Sequence, residues 1–334
     1  MVSLASGSAP ITVATAAVIS KSNPKINNTP LFFFARHGSS LLKPNIYPVS
    51  RFRKAKATTD SNNQQQQRED EEENFQVLTA LRSKYNDIVI VDTPKSRMLL
   101  LDSTHNVHSI LNKGLNKWTG SYWDEFASFP AIVPKGPIAI YGLGGGTAAH
   151  LMLDLWPSLL LEGWEIDEIL IDKARDYFGL SDLEKHTQAG GILNVHIGNI
   201  FSPTDNVSGR YAGIVVDLFS GGNVLAQLEE VTTWLTLKDR LIPDGRFMVN
   251  CGGIHGTTQP KSMDDIWMQN STIKALSEAF PGKVSWKRMP ESSGENFLAI
   301  TGPLPDLSLW AANVPGHLSE TVHKWKPCVC VPSP

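Results

Sequence analysis

The 334 residues hold 30 basic and 33 acidic side chains, a formal charge of −3, but the first 56 residues contain eight of the basic groups and none of the acids. The remainder sets 22 Lys and Arg against 33 Asp and Glu, a net of −11, and so excludes the basic surface that binding to a nucleic-acid backbone requires. Three cysteines, Cys251, Cys328 and Cys330, two of them in a Cys-Val-Cys tail, supply neither a disulfide framework nor a four-ligand zinc set, and no metal is expected.

Residues 1–56 are basic, acid-free and rich in Ser, Thr and Ala, the composition of an organelle transit peptide. The serine content and weak amphipathicity favour the chloroplast, with the mitochondrion as the alternative. The apolar patch Leu31–Phe34 is far short of the ~20 residues that span a bilayer, and no membrane partner is expected. Residues 57–74 run through Gln64–Gln67 into Glu69–Glu73 and form a linker, because such a stretch buries no apolar surface.

The folded part begins near Phe75. Asp87–Asp92 and Arg97–Asp102 flank Thr93-Pro94-Lys95-Ser96 and read as a β-hairpin, to which Val107–Leu111 adds a third strand. A helix over Trp118–Phe129 leads out of this region, which spans 75–130. A small antiparallel sheet in this place can cover an active site or serve a homodimer.

From 131 to 325 strands and helices alternate, with a tail at 326–334. Strands are expected at Pro137–Tyr141, Leu159–Glu165, Ile192–His196, Gly213–Asp217 and Arg246–Cys251. Helices are expected at Thr147–Leu155, Glu168–Tyr177, Val224–Leu241 and Lys261–Phe280. Leu241–Gly245 reads as a turn, and Lys283–Lys287 and Glu295–Ile300 close the chain as strands. This alternation predicts a doubly wound, Rossmann-like α/β fold with a mainly parallel sheet.

The sheet carries a nucleoside signature. The apolar run Ile138–Tyr141 ends in Gly142-Leu143-Gly144-Gly145-Gly146, and 23 residues after Gly142 a second run ends in Glu165. Glycines Gly142, Gly144, Gly145 and Gly146 let backbone approach a ligand, and an acid at the next strand tip accepts ribose hydroxyls. The third G-x-G-x-x-G position is Thr147, an incomplete dinucleotide fingerprint. The third run ends in Gly198-Asn199, where Asn199 can meet an adenine edge. The fourth ends in Asp217 at the crevice. That order of elements belongs to S-adenosylmethionine-type transferases.

With these motifs in view, Tyr85 to about Trp325 resembles the spermidine synthase (polyamine aminopropyltransferase) branch of the methyltransferase-like fold, in a plant plastid form. The resemblance rests on Gly144-Gly145-Gly146, Glu165-Ile166-Asp167, Gly198-Asn199 and Val215-Val216-Asp217, and on Tyr122-Trp123-Asp124-Glu125 where the family carries Tyr-His-Glu. It implies a seven-stranded sheet with a closing antiparallel pair. It also implies S-adenosylmethionine or its decarboxylated form as co-substrate, an amine as the small acceptor, Asp217 as the proton acceptor, and Tyr122 and Asp124 on the substrate side.

Three departures cut against polyamine binding. Thr147 stands where the family's glycine loop continues with an acid, Asn199 replaces an Asp, and Ser220 stands where a second catalytic-loop acid is usual. Methyl transfer and a non-catalytic nucleoside-binding regulator are the alternative functions.

Overall fold

The computed structural model describes residues 75–202, 210–254, 265–290 and 296–329. The expected transit peptide and linker lie outside the described residues, as do Cys330 and most of the tail.

The N-terminal region is a four-stranded antiparallel sheet, β1 (Gln76–Arg82), β2 (Asp87–Asp92), β3 (Ser96–Leu100) and β4 (Ser109–Asn112), in that order. The expected hairpin forms around Thr93, whose Oγ1 accepts the N–H of Ser96 at 2.9 Å and of Lys95 at 3.2 Å. β1 has no counterpart among the strands expected from the sequence. Its run QVLTALR alternates poorly, and the pairing with β2 slips between Val77 and Thr79.

α1 occupies only Tyr122–Ser128 of the helix expected from Trp118, and a single 3₁₀ turn continues it through Phe129–Ile132. After it come β5 (Ile138–Tyr141), α2 (Thr147–Leu155), β6 (Leu160–Glu165), α3 (Glu168–Tyr177), α4 (Leu180–Leu183), β7 (Ile192–Ile197) and β8 (Tyr211–Val216). Next are the two-residue strands β9 (Phe219–Ser220) and β10 (Asn223–Val224), then α5 (Val231–Lys238), β11 (Leu241–Asn250) and α6 (Ser271–Ala279). The chain continues with β12 (Val284–Arg288), β13 (Phe297–Thr301), α7 (Leu307–Ala312), α8 (Gly316–Val322) and β14 (Lys326–Pro327).

The main sheet runs β14-β12-β13-β11-β8-β5-β6-β7. β7, β6, β5, β8 and β11 are parallel, and β13 is antiparallel to both β11 and β12. This is the expected doubly wound sheet with its closing pair, widened by β14, which the start of the tail contributes. Buried β8 (Tyr-Ala-Gly-Ile-Val-Val) shows why a continuous apolar run marks a central strand.

Three expectations are corrected here. The helix expected over Val224–Leu241 is shorter, because Gly221 and Gly222, both at positive φ, turn the β9–β10 hairpin and a 3₁₀ turn at Ala226–Glu229 follows. In the helix expected over Lys261–Phe280, Asn270 breaks the described portion: its side chain caps α6 through Ile273 N (3.0 Å) and donates to Cys251 O (2.8 Å). The Leu241–Gly245 turn lies within β11, where the four residues between Leu241 and Arg246 stand opposite the single residue between their partners Tyr211 and Gly213 on β8, with Asp244 at φ 61°.

One ion pair sits inside the core. Glu125 on α1 and Lys287 on β12 are 3% and 2% exposed, and Lys287 Nζ is 2.6 Å from Glu125 Oε2. The ammonium also donates to Thr321 O at 3.1 Å and lies 5.5 Å from the Trp325 ring centroid. Burial pulls the Lys287 pKa down, and Glu125 opposes that. Replacing one member strands a buried charge, so Lys287→Met is expected to cost about 3–5 kcal/mol. Urea unfolding checks this, and the double variant Glu125→Gln/Lys287→Met should recover most of the loss. An unchanged midpoint in the single variant would remove the pair from the stability of the core.

Candidate functional site

Parallel strands deliver their carboxyl ends to one edge of the sheet, and the sites they carry follow from register. Tyr141 pairs with Val216 and Val216 with Val249, so the next residues along, Gly142, Asp217 and Asn250, are neighbours. Glu165 ends β6, and Gly198-Asn199 follows β7. Outside these ends lies a cleft of about 840 Å³, roofed on one side by the small sheet and lined by Gly142, Gly144, Glu165, Asn199, Tyr122 and Asp217 among others. A crevice beyond the carboxyl ends of an open α/β sheet is where such folds hold ligands.

Glu165 is 9% exposed and already engaged. Its Oε2 accepts the N–H of Gly144 at 3.1 Å, and its Oε1 accepts those of Ile166 (2.9 Å) and Asp167 (3.2 Å). Burial raises its pKa and these amides pull it back. The carboxylate therefore sets the glycine loop as well as facing the cleft. Asn199 lines the cleft too, with its Oδ1 accepting Phe201 N at 3.0 Å.

The glycines divide into two pairs. Gly142 and Gly144 line the cleft, whereas Gly145 and Gly146 do not. Gly145 gives its N–H to Ser109 Oγ of β4 at 2.8 Å, and Gly146 is the left-handed residue that opens α2. Their assignment as ligand contacts is corrected accordingly: one docks the small sheet and the other starts a helix. Thr147 has a similar duty, accepting Ile110 N (2.8 Å) and donating to Ile110 O (3.0 Å).

Asp217 is at the floor of the cleft. Asn250 Nδ2 donates to its Oδ1 at 3.0 Å, and the Tyr122 hydroxyl and the Trp123 side chain add hydrogen bonds. Burial nevertheless dominates and lifts its pKa to about 6. Tyr122 is held well above its usual value by burial and then by the neighbouring Asp217 charge. The amide of Asn250 is itself oriented, because its Oδ1 accepts Gly252 N at 3.1 Å. A carboxylate near pKa 6 is ionised at neutral pH yet basic enough to take a proton.

Asp124, expected on the substrate side, is not there. It is 4% exposed, and its carboxylate accepts Thr119 N (3.0 Å), Thr119 Oγ1 (2.7 Å) and Gly120 N (2.8 Å). Those bonds close the turn that enters α1 and leave Tyr122 and Trp123 aimed at Asp217.

No protein-family model matches the chain. A probable polyamine aminopropyl transferase of Bifidobacterium longum is 25% identical over 171 residues, which is 50% of this chain. The chain is thus similar in sequence to a polyamine aminopropyl transferase over half of its length. The match spans 36% of the bacterial protein's own length. A crystal structure of a probable spermidine synthase from Corynebacterium glutamicum shares the fold, with TM-score 0.51, 16% identity, and coverage of 67% of this chain and 79% of that one. The spermidine synthase of Thermotoga maritima aligns at TM-score 0.46 and 18% identity, over 68% and 72% of the two chains.

Two residues that surround Asp217, Asn250 and Trp123, are not among the candidates the sequence offers. Asn250 falls inside the strand expected at Arg246–Cys251, with no motif to single it out. Trp123 lies between Tyr122 and Asp124, the two residues of the Tyr-Trp-Asp-Glu stretch expected on the substrate side. Ser220 lies on β9 in the cleft wall.

Proposed function

We propose that the chain is a transferase that moves an aminopropyl group from decarboxylated S-adenosylmethionine to a small amine. The observation that carries this reading is Asp217, buried at the cleft floor with Asn250, Tyr122 and Trp123 around it and a pKa near 6. The reaction is a displacement. A neutral amine attacks the carbon beside the sulfonium, the C–N bond forms, the C–S bond breaks, and its electron pair leaves with sulfur as a thioether. An amine is mostly protonated at neutral pH, so a carboxylate is needed to accept a proton and steady the cation. Gly142 and Gly144 would let the donor approach the backbone, and Glu165 would take the ribose hydroxyls.

Methyl transfer is the second reading. It is favoured by Thr147, spent on Ile110, and by the uncharged Ser220 in the cleft wall, since a polyamine's second ammonium calls for a counter-charge.

The test compares S-adenosylmethionine with its decarboxylated form by calorimetry and follows thioether release with a panel of amines. Release of methylthioadenosine that needs both the decarboxylated donor and an amine is expected. Release of S-adenosylhomocysteine instead would establish methyl transfer, and binding without any release would leave a nucleoside-binding regulator. In the same assay Glu165→Ala should weaken donor binding at least about tenfold, because each charged hydrogen bond is worth about 1.5–3 kcal/mol. Unaltered affinity would withdraw the ribose assignment.

A further inference from the structure

The turn between β1 and β2 is tied to the nucleoside end of the cleft by a feature the proposed reaction has not used. Asp167 Oδ2 accepts Ser83 Oγ at 2.5 Å and Asn86 Nδ2 at 2.7 Å. Ser83 Oγ also accepts the N–H of Tyr85 (3.0 Å) and of Asn86 (2.9 Å), which fixes the turn's own shape. Asp167 in turn caps α3 through Leu170 N at 3.3 Å and gives its N–H to Glu165 Oε1 at 3.2 Å. Glu165 holds Gly144. A continuous set of hydrogen bonds thus runs from the small sheet's turn to the glycine loop.

Tyr85 projects from this tethered turn. It lines the cleft together with Asn86, Glu165 and Ile166, yet 46% of it is exposed. Lys84 Nζ lies 5.2 Å from its ring centroid. A rigidly held turn that leaves a large aromatic ring open on the wall of a cleft offers an apolar face with little ordering cost.

We propose that Tyr85 is a donor-binding residue whose ring closes against the sugar held by Glu165, with Ser83 and Asp167 as the positioning residues that keep it there. The proposal rests on the nucleoside reading of the cleft. Covering the sugar would displace water from around the Glu165 hydrogen bonds, which strengthen as the local dielectric falls.

The experiment is calorimetric titration of the full chain with methylthioadenosine, whose ribose both donors share, together with melting temperatures in the absence of ligand. Tyr85→Ala should bind about tenfold more weakly, the loss of a modest apolar contact, and Tyr85→Phe should stay close to wild type. Ser83→Ala leaves the cleft wall intact, so a merely structural role would leave its affinity unchanged. Several-fold weakening at an unaltered melting temperature, restored by Ser83→Thr, is expected instead. Wild-type affinity in Tyr85→Ala would overturn this proposal alone. Failure of the wild type to bind methylthioadenosine would overturn the nucleoside reading and this proposal with it.

Discussion

Asp217→Asn is expected to lower turnover by about 10²–10⁴-fold, the usual cost of losing a general base, while donor affinity holds. The substitution preserves size and removes charge, and the groups assigned to the nucleoside, Gly142, Gly144 and Glu165, are separate side chains and backbone. The pH profile supplies an independent check. A base must be deprotonated to act, so the wild-type rate should rise as pH passes about 6, the value to which burial lifts Asp217. That limb should vanish in the Asn variant. Equal turnover in both proteins would make Asp217 structural and favour methyl transfer to an acceptor needing no base.

Gly142→Ala should be damaging in a different way. Gly142 sits at φ 86°, and a Cβ added there would lie 2.1 Å from the carbonyl oxygen of Asp217 and 2.9 Å from its carbonyl carbon. Those are backbone atoms at the end of the central strand and cannot swing aside. The variant must displace the end of β8, so it is expected to lose donor binding and turnover together and to unfold about 1–3 kcal/mol more easily. Gly146→Ala is the matched comparison. It also has positive φ, 85°, but its added Cβ would meet Leu180 Cδ1 at 2.7 Å, a side-chain methyl that can move, and Gly146 does not line the cleft. It should cost stability while sparing affinity. Gly142→Ala with wild-type binding and unfolding would show that the strand end yields freely.

The parallel strands could be read from the sequence because each is a short apolar run closed by a glycine or a polar residue. The same runs located Gly142, Glu165 and Asp217. Register is what the sequence withheld. Asn250 reaches Asp217 through the register of Arg246–Val249 on Gly213–Val216, which follows a bulge of three extra residues in β11, and a Pro-Asp-Gly cluster reads locally as a turn rather than as a kink within a strand. Asp124 was misplaced for a related reason. Resemblance supplied its position but not its direction, and residues two apart on a helix face nearly opposite ways. The run of glycines was conspicuous, yet which amide faces ligand and which faces Ser109 depends on a sheet whose first strand has no clean alternation. The β9–β10 hairpin, two residues a side, lies below the length at which periodicity can be seen.

The Glu125–Lys287 pair has a consequence for the order in which the site can be completed during synthesis. The ribosome delivers Glu125 together with Tyr122 and Trp123, but Lys287 follows only 162 residues later, and its other partners, Thr321 and Trp325, later still. At about 5–20 residues per second, the nascent chain waits roughly 8–30 s with an acid that has no counter-charge and therefore no reason to leave water. Burying α1 before Lys287 arrives would cost the desolvation of that acid, so the placing of Tyr122 and Trp123 beside Asp217 is coupled to the docking of β12.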